Sequence, residues 1–199
     1  MQKPLPETIE QTVAFLKQFG AIEEGHFLLA SGRHSGHYVK KGLLVQHPRA
    51  VQGMIEARLP ELQALGRIDV VLSPAIGGIA VGQQVGLGLG CRAIYAERNP
   101  ENELELKRGF TLSRGERVLL VEDVITTGGT LEEMHHFVTG ADAEVAGTFV
   151  LVNRSHRSEL LERPLVSCLA VDFPTYAPDQ VPPHLAAIPV TRPGTKKVR

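Results

Sequence analysis

The sequence contains only two cysteines among its 199 residues, Cys91 and Cys168. They lie far apart, each among apolar neighbours, and neither belongs to a Cys-x-x-Cys pair. This scarcity excludes a disulfide framework and argues against a cysteine-based metal site. We therefore predict that both cysteines are buried free thiols.

A strong excess of one charge is also missing. The formal net charge is −1 and there is no long basic run, which argues against a general electrostatic nucleic-acid binder. No apolar run approaches the length of a membrane span, and the N-terminus does not resemble a signal segment. We expect a cytoplasmic protein that binds small anions, with 43% hydrophobic residues sufficient for one compact α/β domain.

Residues 118–130 read V-L-L-V-E-D-V-I-T-T-G-G-T. The first four form an unbroken apolar run, as in a parallel strand buried on both faces, and the carboxylates of Glu122 and Asp123 should mark the end of that strand. A Thr/Gly loop follows, and a helix is predicted behind it. The apolar face of that helix would be formed by Leu131, Met134 and Val138.

This strand, loop and helix suit a phosphorylated sugar. Glycines let backbone amides converge on a ligand, and the helix start adds unpaired N–H groups and the positive end of the helix dipole, so the loop suits a phosphate monoester. The two adjacent carboxylates would repel a phosphate. They would instead accept hydrogen bonds from sugar hydroxyls or meet a hydrated Mg²⁺.

The pattern occurs a second time. Residues 68–72 are predicted to form a buried strand and residues 79–85 a helix, joined by Ser73, Pro74, Ala75, Ile76, Gly77 and Gly78. Loops at the carboxyl ends of parallel strands line one crevice of a doubly wound sheet, so a diphosphate and a phosphate on one ligand would use both loops. The glycines of residues 86–90 follow a helical pattern, which favours a helix end over a dinucleotide fingerprint.

The N-terminal region predicts an amphipathic helix over residues 7–19 and then a small hairpin outside the main sheet, with strands at residues 27–29 and 37–39. Cations gather around its connection. Arg33 and His34 lie within it, and Lys40 and Lys41 follow close to Tyr38. This cluster would suit a planar anion, and a solvated basic loop is the alternative.

Three further segments are predicted. Residues 48–59 form a helix that Pro60 breaks or restarts, and residues 165–171 form a last strand. The Pro-rich end of the chain is expected to be loose at its basic tail, which carries Lys196, Lys197 and Arg199.

Arg154 directly follows a strand predicted over residues 145–152, so it would point into the same crevice. There it would pair bidentately with a ligand carboxylate, unless it is shared with a structural acid such as Glu159 or Glu162. Residues 97–105 are polar, with a turn signal at Asn99 and Pro100. This hairpin is either a lid that excludes water from a reactive intermediate or an ordinary surface hairpin.

Together these segments resemble a known family. Residues 118–130 resemble the phosphoribosyl-diphosphate motif of the type I phosphoribosyltransferases. The run G-H-F-L-L-A-S-G-R-H-S from Gly25, the run P-A-I-G-G from Pro74 and the position of Arg154 are similar to the orotate phosphoribosyltransferases. The resemblance extends from the first helix to about Tyr176.

The resemblance implies one α/β domain, residues 1–199, with a doubly wound, mainly parallel sheet flanked by helices. A small hood would come from residues 1–45 and the C-terminal segment, and a flexible lid from residues 97–108. The implied reaction transfers ribose 5-phosphate from 5-phospho-α-D-ribose 1-diphosphate to N1 of orotate, in UMP synthesis. Mg²⁺ would be the cofactor, held mainly by the diphosphate and water rather than by protein ligands, and a homodimer would share the lid across its interface.

The resemblance also implies roles for individual residues. The donor would be bound by Glu122, Asp123, Val124, Ile125, Thr126, Thr127, Gly128, Gly129 and Thr130, with its diphosphate on Ser73, Pro74, Ala75, Ile76, Gly77 and Gly78. Orotate would be bound by Thr126, Arg154, Arg33, Tyr38 and Lys40. The catalytic residues would be Asp123 and the lid cations Arg98, Lys107 and Arg108.

The sequence departs from the family in its charge. Many members carry several lysines and a histidine in the lid, whereas here Arg98 precedes the turn and Lys107 and Arg108 follow it. Gly77 stands where some relatives have a lysine. Two alternatives therefore stay open, a phosphoribosyltransferase for another nucleobase and a non-catalytic regulator that senses the donor.

Overall fold

Helices and a pair of strands form the N-terminal third of the protein. In the computed structural model, which describes residues 5–29, 31–155 and 157–193, the first elements in chain order are α1 (Ile9–Gln18), β1 (Ile22–Leu28), β2 (His34–Val39), α2 (Lys41–Val45), α3 (Pro48–Glu56) and α4 (Leu59–Gln63). A capping box of Thr8 and Gln11 starts α1, and Gly20, with φ of +64°, follows its end. The predicted first helix and the helix from Pro48 are both confirmed.

A seven-stranded sheet forms the centre of the molecule. Its elements are β3 (Val70–Pro74), α5 (Ile79–Leu89), β4 (Arg92–Arg98), β5 (Leu104–Leu106), β6 (Arg117–Ile125), α6 (Gly129–Gly140), β7 (Glu144–Asn153), β8 (Glu159–Leu160) and β9 (Arg163–Ala170). The strand order is β5-β4-β3-β6-β7-β9-β8, with the five inner strands parallel and the two edge strands antiparallel to their neighbours. The predicted mainly parallel sheet is confirmed.

Helices cover both faces of this sheet. Leu119 and Val121 of β6 belong to one core cluster, which also contains residues of α3 and α5. Val118 and Leu120 belong to a second cluster on the opposite face, with the α6 residues Leu131, Met134 and Val138. Because successive side chains of a strand leave opposite faces, the unbroken apolar run of β6 is what a doubly covered strand requires.

Strand β6 is longer than predicted. The carboxylates do not end it, because β7 continues to offer hydrogen-bond partners: Glu122 lies opposite Val150, and Ile125 lies opposite Asn153. The prediction that the glycines of residues 86–90 end a helix is confirmed. Helix α5 runs through them and ends at Gly90, with φ of +69°, while Gly86 lets the helix approach Ala93 closely.

A second sheet joins the two ends of the chain. The remaining elements are β10 (Thr175–Tyr176), α7 (Pro183–Ala186) and β11 (Val190–Thr191). The strand order of the smaller sheet is β10-β2-β1-β11, with β1 and β2 antiparallel as predicted and β1 parallel to β11. The basic tail, Lys196, Lys197 and Arg199, lies outside the described residues.

Both cysteines are free, with Cys168 buried and Cys91 half-buried, so the prediction of burial holds fully for Cys168 alone. Burial raises the pKa of the Cys168 thiol to about 12, which leaves it unreactive at neutral pH. Across residues 5–29, 31–155 and 157–193, no helix is long and apolar enough to cross a membrane.

Candidate active site

The carboxyl ends of β3, β6 and β7 meet at one edge of the large sheet, as parallel neighbours must. A cavity of about 620 Å³ opens there, between the two sheets. It is lined by Leu29, Ser31, Arg33, Tyr38, Val39, Lys41, Val124, Thr126, Thr127, Arg154, Asp172, Phe173 and Thr175. The candidate site therefore combines the end of the parallel sheet with the smaller sheet.

The Thr/Gly loop leads directly into helix α6. Thr126 and Thr127 are exposed, and Gly128 adopts φ of +96°, a conformation that strains any residue with a Cβ. A Cβ at Gly128 would also lie 3.2 Å from Leu160 Cδ1. The Gly128 carbonyl accepts a hydrogen bond from the Glu132 amide, so the helix begins here and its free N–H groups face the loop. This arrangement can bind a phosphate.

Asp123 lies beneath the second loop. Its side chain is only 3% exposed, and its Oδ1 accepts a hydrogen bond of 2.8 Å from Lys41 Nζ. A Cβ at Gly77 would lie 2.2 Å from Asp123 Oδ2, so only glycine lets the loop approach the carboxylate this closely. The two predicted loops are thus brought together around one buried carboxylate.

Some of the residues predicted to bind the donor have side chains that are buried in the sheet and do not face the site. Ser73 and Pro74 belong to β3 and are buried, and Ile125 is 1% exposed within the second core cluster. Their side chains serve the sheet because β3 and β6 extend further than the sequence pattern suggested. Ile76 is 86% exposed, and Gly77 is also exposed, so the open part of the second loop begins after Pro74.

Glu122 leaves β6 on the face opposite Asp123. Burial and the charge of Asp123 raise the pKa of Glu122 to about 7, against the opposing effects of Lys41 and Arg98. A carboxyl group that is half protonated near neutral pH can donate as well as accept a hydrogen bond, which suits a sugar hydroxyl.

This raised pKa predicts a pH-dependent stability. Folded Glu122 keeps a proton that the unfolded chain releases between pH 4.5 and about 7, so its contribution to stability is present below pH 4.5 and is lost as the pH rises to 7. In Glu122→Gln this dependence should vanish. We expect the free energy of unfolding of the variant, relative to the natural protein, to rise by at most about 3 kcal/mol from pH 4.5 to 8. Urea denaturation across this range measures it, and a constant difference would contradict the assignment.

Arg154 is half-buried and lines the cavity beside Tyr38. Burial lowers the pKa of the guanidinium, and Tyr38 acts in the opposite direction. Within the described residues, no ion pair joins Arg154 to Glu159 or Glu162, the structural partners considered from the sequence. The guanidinium, which stays charged in proteins, is therefore placed to receive an anion that enters the cavity.

The N-terminal cations are arranged differently from the prediction. Arg33 lines the cavity, but it also donates hydrogen bonds to the side chain and carbonyl of Thr175 and so holds β10 in place. Lys40 forms an ion pair of 2.8 Å with Glu23 and does not line the cavity. Lys41 lines it instead. The predicted cluster contained both lysines, and the resemblance assigned Lys40 to orotate. Strand β2 ends at Val39 and α2 starts at Lys41, so the chain changes direction between the two lysines and Lys41 is the one that lines the cavity.

Residues after β9 also line the cavity, although no site role was predicted for them. Asp172, Phe173 and Thr175 follow the carboxyl end of β9, and the Phe173 ring stacks on His37 at 4.4 Å. The rule that drew attention to Arg154 applies equally to Asp172, since both follow parallel strands at the same sheet edge. The sequence placed Lys41 in the cation cluster near Tyr38, but no signal in it indicates that Lys41 contacts Asp123.

The predicted hairpin of residues 97–108 is present, formed by β4 and β5. Each of its cations contacts a carboxylate: Arg98 pairs with Glu133 of α6 at 2.7 Å, Lys107 with Glu105 at 3.4 Å and Arg108 with Glu97 at 2.7 Å. The positive charge of the hairpin is thus partly neutralised in this conformation. Its action as a lid stays a prediction.

The two loops, the carboxylates of β6 and the helix start after them share one edge of a parallel sheet, which is the arrangement of the type I phosphoribosyltransferases. The sequence agrees with the structure on this class. The chain belongs to the phosphoribosyl transferase domain family, whose profile matches residues 44–177.

Individual relatives narrow the comparison. The chain is 41% identical over 191 residues to the orotate phosphoribosyltransferase of Erythrobacter litoralis (strain HTCC2594), covering 95% of this chain and 98% of the relative. The crystal structure of orotate phosphoribosyltransferase from Aeropyrum pernix superposes with a TM-score of 0.67 and 26% identity, over 79% of this chain and 92% of that one. Adenine phosphoribosyltransferase from Thermoanaerobacter pseudethanolicus gives a TM-score of 0.58 at 19% identity, over 67% of this chain and 88% of that one, and shares the fold.

Proposed function

We propose that this protein is an orotate phosphoribosyltransferase. It transfers ribose 5-phosphate from 5-phospho-α-D-ribose 1-diphosphate to N1 of orotate, and the products are orotidine 5′-phosphate and diphosphate. The proposal is supported by the nearly full-length similarity to an orotate phosphoribosyltransferase. The observation that carries it within the structure is Arg154, a half-buried guanidinium in the cavity beside the phosphate loop.

Orotate, the substrate that accepts the ribose 5-phosphate, explains the position of Arg154. A purine or uracil has no carboxylate, so it would leave a half-buried guanidinium without a charge partner, which is costly. Orotate offers one carboxylate, and the planar fork of arginine matches it bidentately. Tyr38 and Thr126 line the same cavity and can contact the ring.

The reaction needs little covalent chemistry from the protein. The Thr/Gly loop holds the 5′-phosphate, Glu122 and Asp123 hold the ribose hydroxyls, and the 73–78 loop faces the diphosphate. The bond from C1 to the diphosphate oxygen breaks with its electron pair on the oxygen, through an oxocarbenium-like transition state. N1 of orotate supplies the new pair to C1, and the proton of N1 is released to water or to the departing diphosphate. Positioning and charge stabilisation then carry the rate.

The residues of this site suit a Mg²⁺ ion that enters already bound to the phosphoribosyl diphosphate. Among the described residues, no group of three or more His, Cys, Asp or Glu side chains is arranged to hold a metal. Glu122 and Asp123 would meet the ion through ribose oxygens and water, while the diphosphate provides most of its ligands. The bound ion neutralises charge on the leaving diphosphate.

We also propose that the site is completed across a homodimer and that the enzyme acts in the cytoplasm. Two large exposed apolar side chains support a partner surface: Ile76 of the second loop is 86% exposed, and Leu87 of α5 is 77% exposed. The hairpin of residues 97–108 then supplies its cations as a lid. The reduced cysteines agree with a cytoplasmic location.

The lid assignment predicts an effect on turnover without an effect on folding. The Arg98 to Glu133 pair is partly exposed on both sides, so its loss in Arg98→Ala should cost only ~0.2–1 kcal/mol of stability. We expect kcat at saturating donor to fall by about tenfold or more if Arg98 reaches the diphosphate. Unchanged kcat would remove Arg98 from the mechanism. The same assay on Lys107→Ala and Arg108→Ala ranks the three cations.

The function is tested by incubating the protein with donor, Mg²⁺ and a panel of orotate, uracil, adenine, guanine and hypoxanthine. We expect orotate alone to be consumed, with equimolar diphosphate released. Consumption of another base would establish a phosphoribosyltransferase of different specificity. Donor binding with no base consumed would instead establish the regulator.

A further inference from the structure

Lys41 belongs to the cation cluster that the sequence predicted for a planar anion, and the family resemblance gives it no role of its own. It is the first residue of α2, and its side chain is 48% exposed. Its ammonium lies 2.8 Å from Asp123 Oδ1. It lines the cavity with Thr126 and Arg154. It therefore stands between the carboxylate of β6 and open solvent.

Lys41 also borders the 73–78 loop. The Cβ direction of Gly77 points at Lys41 Nζ, which lies 3.3 Å from the position that a Cβ would take, and at Asp123 Oδ2, which lies 2.2 Å from it. A side chain at residue 77 would have to displace Asp123, so this loop cannot carry a cation of its own there. The space toward which a residue-77 side chain would point contains the Lys41 ammonium.

The lid does not provide an obvious substitute. Its three cations, Arg98, Lys107 and Arg108, each contact a carboxylate of the same chain. A leaving diphosphate carries several negative charges, of which Mg²⁺ would neutralise a part. A cation within reach of the 73–78 loop would compensate more of them, and Lys41 is placed to do so.

We propose that Lys41 is the cation that binds the donor's diphosphate, resting on Asp123 until the donor arrives. This inference rests on the proposed function. The ribose hydroxyls then donate hydrogen bonds to Asp123, so the buried carboxylate keeps hydrogen-bond partners when the ammonium leaves it. The flexible lysine stem lets Nζ move to the diphosphate oxygens beside Gly77. Before the donor binds, the ion pair with Lys41 thus satisfies the buried carboxylate of Asp123. Donor binding replaces this pair by a contact of Asp123 with the ribose hydroxyls and a contact of Lys41 with the diphosphate.

The test compares two ligands that occupy different halves of the donor site. Inorganic diphosphate and ribose 5-phosphate are titrated separately by calorimetry, each with Mg²⁺, into the full-length natural protein and Lys41→Met. We expect Lys41→Met to weaken diphosphate binding by about tenfold or more, the effect of losing one charge-assisted contact. Ribose 5-phosphate binding should change less than about twofold, because Asp123 stays in place. Lys41→Arg should recover most of the diphosphate affinity.

Steady-state kinetics give a second readout. In Lys41→Met the KM for the donor should rise while the KM for orotate stays within about twofold, since Lys41 acts on the diphosphate. Lys17→Met is the matched control, because Lys17 also pairs with a carboxylate, that of Glu24 at 2.6 Å, but on the exposed surface of α1. Lys41→Gln replaces Lys41→Met if the latter does not fold.

Unchanged diphosphate affinity would overturn the proposal. An equal loss for both ligands would also overturn it, because Lys41 would then only hold Asp123 in position. If the natural protein consumes no orotate, the proposed acceptor is wrong, and the diphosphate titration still decides the role of Lys41.

Discussion

Asp123→Asn is expected to lower kcat/KM for the donor by about 10²- to 10³-fold, the usual effect of removing one preorganised charged group from a reaction centre. The carboxylate is 2% exposed and lies between β6 and the 73–78 loop. In the proposed reaction its negative charge would stabilise the positive charge that develops on the ribose ring, and an amide of the same shape would not. Initial rates at saturating orotate and varied donor measure the change.

The control for this substitution is Asp142→Asn. Asp142 is exposed, follows the end of α6 and has φ of +56°, which asparagine tolerates well. Helix α6 has 12 residues, so Asp142 lies roughly 18 Å from the phosphate loop. The control should keep the natural rate. A drop of less than about threefold in Asp123→Asn, too small for a group that stabilises the transition state, would place the carboxylate outside the reaction centre.

Arg154→Ala is expected to raise the KM for orotate by about 100-fold, because truncating one side of a desolvated charge pair costs ~2–5 kcal/mol. The donor KM should change little, since Arg154 lines the acceptor cavity rather than the phosphate loop. The KM of Arg154→Lys for orotate should lie between those of the natural protein and Arg154→Ala, because an ammonium keeps the charge but not the bidentate fork. Both values come from initial rates with each substrate varied in turn.

Arg114→Ala serves as the control for Arg154. Arg114 is exposed in the turn before β6, at the opposite end of that strand from the site, so its loss should leave both KM values unchanged. If Arg154→Ala raised both KM values equally, Arg154 would be a structural residue. If neither value changed, the carboxylate of orotate would have to bind elsewhere in the cavity.

Much of this site follows from strand patterns. The unbroken apolar run before Glu122 predicted a strand buried on both faces, and all four of its residues, Val118 to Val121, are fully buried. The sheet topology predicted which segments lie close together, since the carboxyl ends of neighbouring parallel strands must meet at one edge. The proximity of the two loops and Arg154 was therefore predictable before any coordinate was known.

Side-chain partners were not predictable in the same way. Lys41 reaches Asp123 across 82 residues of sequence, and Arg98 reaches Glu133 across 35. Such pairs depend on where helices sit above the sheet, and periodicity within one segment carries no information about that. The predicted end of β6 was wrong for a similar reason. The length of β7, not the polarity of Glu122, decides how far the strand pairing continues.

The smaller sheet has a consequence for how the enzyme is made. Strand β1 pairs with β11, joining His26 to Val190, and Arg33 is held by Thr175. The residues proposed to bind the donor lie between residues 41 and 130, whereas the cavity around Arg154 also needs Arg33 and Thr175, which contact each other across 142 residues. We therefore expect the phosphate-binding edge to be able to fold before the C-terminal segment has been made, whereas the cavity beside Arg154 can close only after Thr175 has been made. A chain truncated just before β10 should then lose affinity for the base before it loses affinity for the donor.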